Sequence, residues 1–260
     1  MKMAEIKDKL RNGENVLGTM ITVFQNPDIM KILKVCGYDF VIIDCEHGSF
    51  EYGEVARMVA LARAIGLPVV VRIAEVHREL VLKYMEMGAD GLLLPSTETK
   101  EQAELLVKYS KYAPVGDRGV SLTRPHTDYR KVNGREYMDE TNKSTILMCQ
   151  IESQKGVDHI EEIIGTEGID IAFVGPNDLS QDMGILGDYS HPRMTEAYEK
   201  ILRAAKAAGK AAGIHFGKKE PLVSCVKAGY QMNMCGNDVS FLSAGAVSSL
   251  EYLKAQTESK

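Results

Sequence analysis

The sequence predicts a (β/α)8 barrel, and three observations carry that expectation. Eight short apolar runs alternate with eight segments of helical periodicity over 260 residues. Several runs end in charged side chains: Asp44-Cys45-Glu46-His47 after FVII, Arg72 after PVVV, and Gln150-Ile151-Glu152 after TILMC. Glycine follows five of the helical segments, the left-handed closing residue of a helix.

The elements follow in order. The first run, 16–23, precedes a helical pattern over 28–36 that stops at Gly37. Run 40–45 precedes helix 52–65, stopped by Gly66, and run 68–73 precedes helix 78–87, stopped by Gly88. Run 91–95 leads to helix 100–112. Run 145–151 leads to helix 154–164, and run 169–174 breaks at Gly175-Pro176, delivers Asp178 and precedes helix 195–208 and Gly209. Run 211–216 leads to helix 221–228 and Gly229; run 232–235 leads to helix 240–256. The helical segments carry apolar residues at i, i+3 and i+4. A doubly wound open sheet is the competing arrangement. It is set aside because there are eight units and no Gly-x-Gly-x-x-Gly turn after the first run.

One segment breaks the rhythm. Residues 114–144 hold Gly116, Gly119, Pro125, Gly134 and many polar residues, and a connection of this length is too long for a plain barrel loop. It joins helix to strand, so its trunk belongs to the face opposite the charged strand ends, with an edge of the barrel or a neighbouring subunit within reach. No linker interrupts the chain, and residues 1–260 are expected to form a single barrel domain.

Composition bounds the function. The net charge is −5 and no long basic tract appears, which argues against nucleic acid or an anionic membrane as partner. No apolar run approaches the roughly 18–20 residues of a membrane span. Residues 1–7 mix charges like an amphipathic helix, without the apolar stretch of a signal peptide. Five scattered cysteines, never spaced as CxxC, read as reduced thiols of a cytoplasmic protein.

The charged strand ends converge on one mouth. Glu152 and Asp178 follow adjacent strands, and two hard carboxylates with open positions suit Mg2+ or Mn2+, with Co2+ also admissible. Taken singly, Glu152 can instead cap the helix starting near Ser153, and Asp178 the turn after it. His47 is the candidate general base, with Asp44 as the partner expected to orient its ring. Glu46 shares the parity of Asp44 and faces the same side, where it can meet water on the metal. Arg72 ends an apolar run, so its guanidinium must meet an anion: a substrate enolate or carboxylate, or a salt bridge to Glu46 or Asp44. Gln150 shares the parity of Glu152 and is a candidate donor to substrate or water. The turn Gly175-Pro176-Asn177-Asp178 offers backbone N–H groups of Gly175, Asn177 and Asp178 to a carboxylate. His215 ends the seventh strand and is expected to line the pocket. The alternative is a tie to a neighbouring backbone carbonyl. His77, His126, His159 and His191 read as solvated surface residues, and the thirteen methionines as core filler.

Ile43-Asp44-Cys45-Glu46-His47, Val70-Val71-Arg72, Gly116-Asp117-Arg118-Gly119-Val120, Gln150-Ile151-Glu152-Ser153 and Gly175-Pro176-Asn177-Asp178-Leu179-Ser180 resemble the motifs of the HpcH/HpaI aldolases, in that family's order and spacing. These are class II pyruvate aldolases of the phosphoenolpyruvate/pyruvate superfamily. The resemblance spans residues 6–253. It implies a (β/α)8 barrel with a divalent metal held by Glu152 and Asp178 and chelated by pyruvate. It implies that Arg72 stabilises the enolate oxygen and that the Asp44–His47 pair acts as base by way of water on the metal. It also implies homo-oligomers built as trimers of dimers. The activity implied is cleavage of 4-hydroxy-2-oxo acids to pyruvate and an aldehyde.

The chain departs from the family pattern at Gly18-Thr19-Met20-Ile21, at Gly213-Ile214-His215-Phe216 and after Val120, which leaves the aldehyde open; His215, where the family usually has an aliphatic residue, is expected to contact the aldehyde end and favour polar or anionic acceptors. Two rival readings remain. One is a CoA-thioester lyase of the citrate/malyl type, for which no basic pocket for a CoA phosphate is visible. The other is a non-catalytic keto-acid-binding barrel, which loss of His47, Arg72 or a metal ligand would have suggested.

Overall fold

The computed structural model describes residues 2–257. Eight parallel strands close in chain order: β1 (Val16–Ile21), β2 (Phe40–Asp44), β3 (Val69–Arg72), β4 (Gly91–Leu94), β5 (Ile146–Ile151), β6 (Ile171–Val174), β7 (Ala211–Phe216) and β8 (Met232–Asn237). The helices are α1 (Met3–Arg11), α2 (Ile29–Val35), α3 (Tyr52–Ile65), α4 (Arg78–Met87), α5 (Lys100–Ser110), α6 (Gly134–Ser144), α7 (Gln154–Asp158), α8 (Ile160–Gly165), α9 (Pro176–Asp182), α10 (Pro192–Ala207), α11 (Lys219–Ala228) and α12 (Asp238–Thr257). The predicted barrel is the observed one. None of these helices is long and apolar enough to cross a membrane.

Strand parity sorts the core. Ile42, Val70, Leu93, Met148, Phe173 and Met234 fill the lumen, and Met3, Ile6 and Leu10 of α1 join that cluster, plugging the end where the strands begin. Residues of the other parity, such as Val41, Ile43 and Val71, pack beneath the helices. The inward parity that buries Ile42 and Met148 therefore carries Asp44 and Gln150 to the opposite, C-terminal mouth. Gly66, Gly88 and Gly229 close α3, α4 and α11 in the left-handed conformation.

The barrel closes along β1 and β8, where the register shifts between Gly18 and Met20. Thr19 Oγ1 donates to the carbonyls of Cys235 and Gly236 across this seam. Strand 1 ends at Ile21, short of the predicted residue 23, because Asp238 pulls residues 22–24 out of the ladder. Its carboxylate accepts from the backbone N–H groups of Thr22, Val23 and Phe24.

Segment 114–144 lies on the expected side: its helix α6 packs against α1, and Lys111 Nζ donates to the Asn142 carbonyl at 2.6 Å. No apolar pattern announced α6, because no residue of that helix is buried. His126 is not a solvated surface residue. It is buried, with Nδ1 2.6 Å from the Tyr137 hydroxyl and Nε2 3.0 Å from the Ser121 carbonyl, beside the Arg118–Glu86 ion pair. His159 and His191 are also engaged. The His159 ring meets the Glu98 carbonyl at the break that splits 154–164 into α7 and α8, and His191 caps α10. Of the four, His77 alone is exposed, with Nε2 3.2 Å from Glu75 Oε1.

The eighth barrel helix departs from expectation. Beyond Asp238, every residue of α12 is exposed, including Leu242, Leu250, Tyr252 and Leu253. The helix starts directly at the end of β8, and Asp238 clamps that start to residues 22–24. There is no βα loop of the usual 2–6 residues to fold it back over its own barrel.

Candidate active site

The mouth is built on the carboxylate–guanidinium pair that ends β2 and β3. Asp44 and Arg72 are register partners. Asp44 Oδ1 lies 2.9 Å from Arg72 Nε and Oδ2 lies 2.6 Å from Nη2, both side chains being buried. Oδ1 also accepts from the backbone N–H groups of Glu46 and His47. Burial alone would raise the Asp44 carboxyl. Arg72 and the two N–H donors outweigh it and hold the group below its ordinary range.

Glu46 reaches the same guanidinium from the next turn, with Oε2 3.0 Å from Arg72 Nη1. Both salt bridges proposed for Arg72 are therefore present together. N–H bonds remain on its two Nη atoms for a substrate oxygen. Burial pushes the Glu46 carboxyl up; Arg72 and His47 pull it down, and Asp44 and Asp178 push it further up.

His47 stands at the rim. Its side chain is 69% exposed, and Nε2 is 3.9 Å from Glu46 Oε2. Asp44 fixes the backbone of His47 and not its ring, because both Asp44 oxygens are committed to Arg72 and to N–H groups. The expected Asp44–imidazole contact is thus replaced by proximity to Glu46.

Glu152 occupies a cradle. Its Oε1 accepts from Ser96 N–H at 2.6 Å and from Ser96 Oγ at 3.2 Å, and its Oε2 accepts from Gln150 Nε2. Burial raises its carboxyl, and the anions Asp178 and Glu46 add to the rise against the pull of Ser96 and Gln150. The helix that follows is capped by Ser153, so Glu152 is not the cap. A methyl at Gly175 would strike Glu152 Oε2 and Gln150 Nε2, so only glycine lets β6 pass this close.

Asp178 sits exposed in the first turn of α9, beyond that glycine. The buried Glu152 carboxylate is bonded only to neutral donors, has two anionic neighbours and feels Arg72 without an ion-pair contact, and such a group, with Asp178 nearby, fits a divalent ion. Among the described residues no three His, Cys, Asp or Glu side chains converge as a metal cluster. A Mg2+-type site needs only one or two carboxylates, since water and substrate fill the rest.

Three expectations change here. Gln150 gives one N–H of its amide to Glu152, leaving Oε1 buried without a partner, so only its second N–H is left for a substrate or water. The Gly175 N–H is taken by the Ile151 carbonyl, while Asn177 and Asp178 lie in the first turn of α9. The ring of His215 is tied by Nε2 to the Gly236 carbonyl at 3.0 Å. Burial lowers its pKa, with the Gly236 bond opposing and Arg72 adding to the fall. The tie uses the donor that was expected to meet an anionic aldehyde. Ser96 went unnoticed in the sequence because it carries no charge; its position just past the fourth run was the available signal.

A family model for HpcH/HpaI aldolase/citrate lyase matches residues 20–244. The chain is 36% identical over 194 residues to 5-keto-4-deoxy-D-glucarate aldolase of Escherichia coli K12, covering 74% of this chain and 75% of the relative. It superposes on the crystal structure of an HpcH/HpaI aldolase from Desulfitobacterium hafniense DCB-2 with a TM-score of 0.91 at 36% identity, over 95% and 96% of the two chains. A family protein from Burkholderia cenocepacia J2315 superposes with a TM-score of 0.88 at 31% identity, over 96% and 99%.

Proposed function

The chain belongs to the HpcH/HpaI aldolase/citrate lyase family and is a carbon–carbon lyase, and on that footing we propose that it cleaves 4-hydroxy-2-oxo acids to pyruvate and an aldehyde with Mg2+ or Mn2+ as cofactor. The Glu152 cradle carries this reading: a buried carboxylate beside Gly175 and Asp178, facing the Arg72 guanidinium. The relatives' name points to a substrate of the same class. Renumbered from its other end, 5-keto-4-deoxy-glucarate is a 2-keto, 3-deoxy, 4-hydroxy acid.

Glu152 and Asp178 would hold a divalent ion, which would supply Lewis-acid polarisation of a 2-keto oxygen. Arg72, held flat by Asp44, offers its remaining N–H bonds to the oxygen that gains charge as C3–C4 breaks. His47 takes the 4-hydroxyl proton, the O–H electron pair becomes the aldehyde C=O, and the C3–C4 pair moves into the enolate. Proton return to C3 then gives pyruvate. Asn177 and Gly175 border the place of the pyruvate carboxylate.

We further propose that the enzyme is a homo-oligomer, with a trimer of dimers as the expected assembly. The bare apolar face of α12 supports association. The free cysteines support a reducing compartment, the cytoplasm.

The test is a panel of free 4-hydroxy-2-oxo acids and CoA thioesters with Mn2+ or Mg2+ and a chelator control. Turnover of the free acids, lost on chelation and restored by metal, is expected. Turnover of thioesters alone would move the enzyme to the citrate/malyl type.

A further inference from the structure

Resting on that reading of Glu152, we propose that Ser96 is a positioning residue that holds Glu152 in the one orientation suited to a divalent cation. Ser96 follows β4 with φ of 44°, a left-handed conformation that residues with a side chain seldom adopt. That backbone turn aims its N–H at Glu152 Oε1, 2.6 Å away, and brings Oγ to the same oxygen at 3.2 Å. Unusual backbone of this kind persists only where its surroundings impose it.

The surroundings are in place on both sides. Thr97 N–H donates to the Gln150 carbonyl at 3.0 Å, continuing the ladder toward β5, and Thr97 Oγ1 donates to the Leu94 carbonyl at 3.0 Å. Gln102 Nε2 donates to the Ser96 carbonyl at 3.3 Å. The amide oxygen of Gln102 accepts from the N–H groups of Glu98 and Thr99, so the first turn of α5 and the loop form one unit. With Gln150 on Oε2 and Ser96 on Oε1, each Glu152 oxygen has a fixed donor. The carboxylate is oriented before any ligand arrives, which spares the ordering cost on binding. In this role Ser96 touches neither substrate nor reacting atoms.

Ser96→Ala and Ser96→Gly separate the hydroxyl from the backbone. Both lose Oγ, but glycine suits a φ of 44° and alanine does not. Mn2+ binding to metal-free enzyme is measured by calorimetry, with Tm recorded for each variant. Both variants are expected to weaken Mn2+ binding toward the low end of the roughly 10–100-fold loss typical of supporting partners. Ser96→Gly should do so without a fall in Tm. Wild-type Kd in both variants overturns the proposal, as does a Kd restored by glycine or a loss that follows Tm in both. Glu152→Gln is the control. If it keeps Mn2+ binding, the metal reading itself fails; if it loses binding while both Ser96 variants match wild type, only the positioning role fails.

Discussion

Asp44 grips Arg72 with both carboxylate oxygens, at 2.9 Å and 2.6 Å, across register-paired ends of β2 and β3. The pair is buried, so neither partner tolerates loss of the other. Asp44→Ala should destabilise the fold by about 3–5 kcal/mol, the usual cost of orphaning a buried charge. Urea unfolding of the variant measures this. Arg72→Lys keeps a charge but not the planar fork. It should leave proton exchange at the pyruvate methyl group well below wild type, and wild-type exchange there would remove Arg72 from enolate stabilisation.

The same pair sets an acid limit. Asp44 is held below its ordinary range in the folded state. A depressed carboxyl stabilises the fold above its unfolded value, about pH 4, and that contribution is lost as pH falls through the folded value. The unfolding free energy of wild type should therefore fall more steeply below pH 4 than that of Asp44→Asn.

Asp90 should act with the opposite sign. Burial pushes its carboxyl up to about 6, against the Val69 N–H and Arg63. A raised carboxyl is a burden above its folded value, and the fold gains stability as pH drops from about 7 toward 4. Asp90→Asn keeps an acceptor for Val69 and should remove that gain. Denaturant midpoints at pH 5 and pH 7.5 decide it; an unchanged difference between the two pH values counts against the assignment.

The His215 ring is committed to Gly236. His215→Leu should leave the kcat/KM ratio between a hydroxylated and an alkyl aldehyde unchanged. It should cost about 1 kcal/mol of stability for the lost hydrogen bond. A ratio shifted toward the alkyl aldehyde would return His215 to the substrate pocket.

Gly175 tests the cradle by volume alone. Gly175→Ala places a methyl against Glu152 and Gln150. Mn2+ affinity should fall by about 10-fold or more, in the range expected when a ligand loses its fixed geometry. Far-ultraviolet circular dichroism should remain that of wild type.

The barrel was legible because apolar runs of strand length and closing glycines are local signals, and they survive without knowledge of partners. Asp44, Arg72, Gln150 and Glu152 were legible as mouth residues because strand parity carries them inward. What parity could not convey is who holds whom. The sequence neighbours Asp44 and His47 suggested a ring contact, yet a residue across the ladder, Arg72, takes the carboxylate. Ser96 was invisible because its contribution is an uncharged hydroxyl together with a backbone N–H in a left-handed turn. Helix α6 was invisible because nothing in it is buried. The position of α12 depends on the absence of a loop after β8, which periodicity does not register.

Closure along β1 and β8 also governs how the chain must be made. Thr19 and its seam partner Cys235 are 216 residues apart. At roughly 5–20 residues per second, a ribosome needs on the order of 10–40 s to deliver the second after the first. Through that interval the outer edge of β1 has no strand to pair with, and an unpaired edge is a template for foreign strands. Until β8 has been made, no sheet the nascent chain forms can close along this seam, and the β1 edge must be shielded by other means.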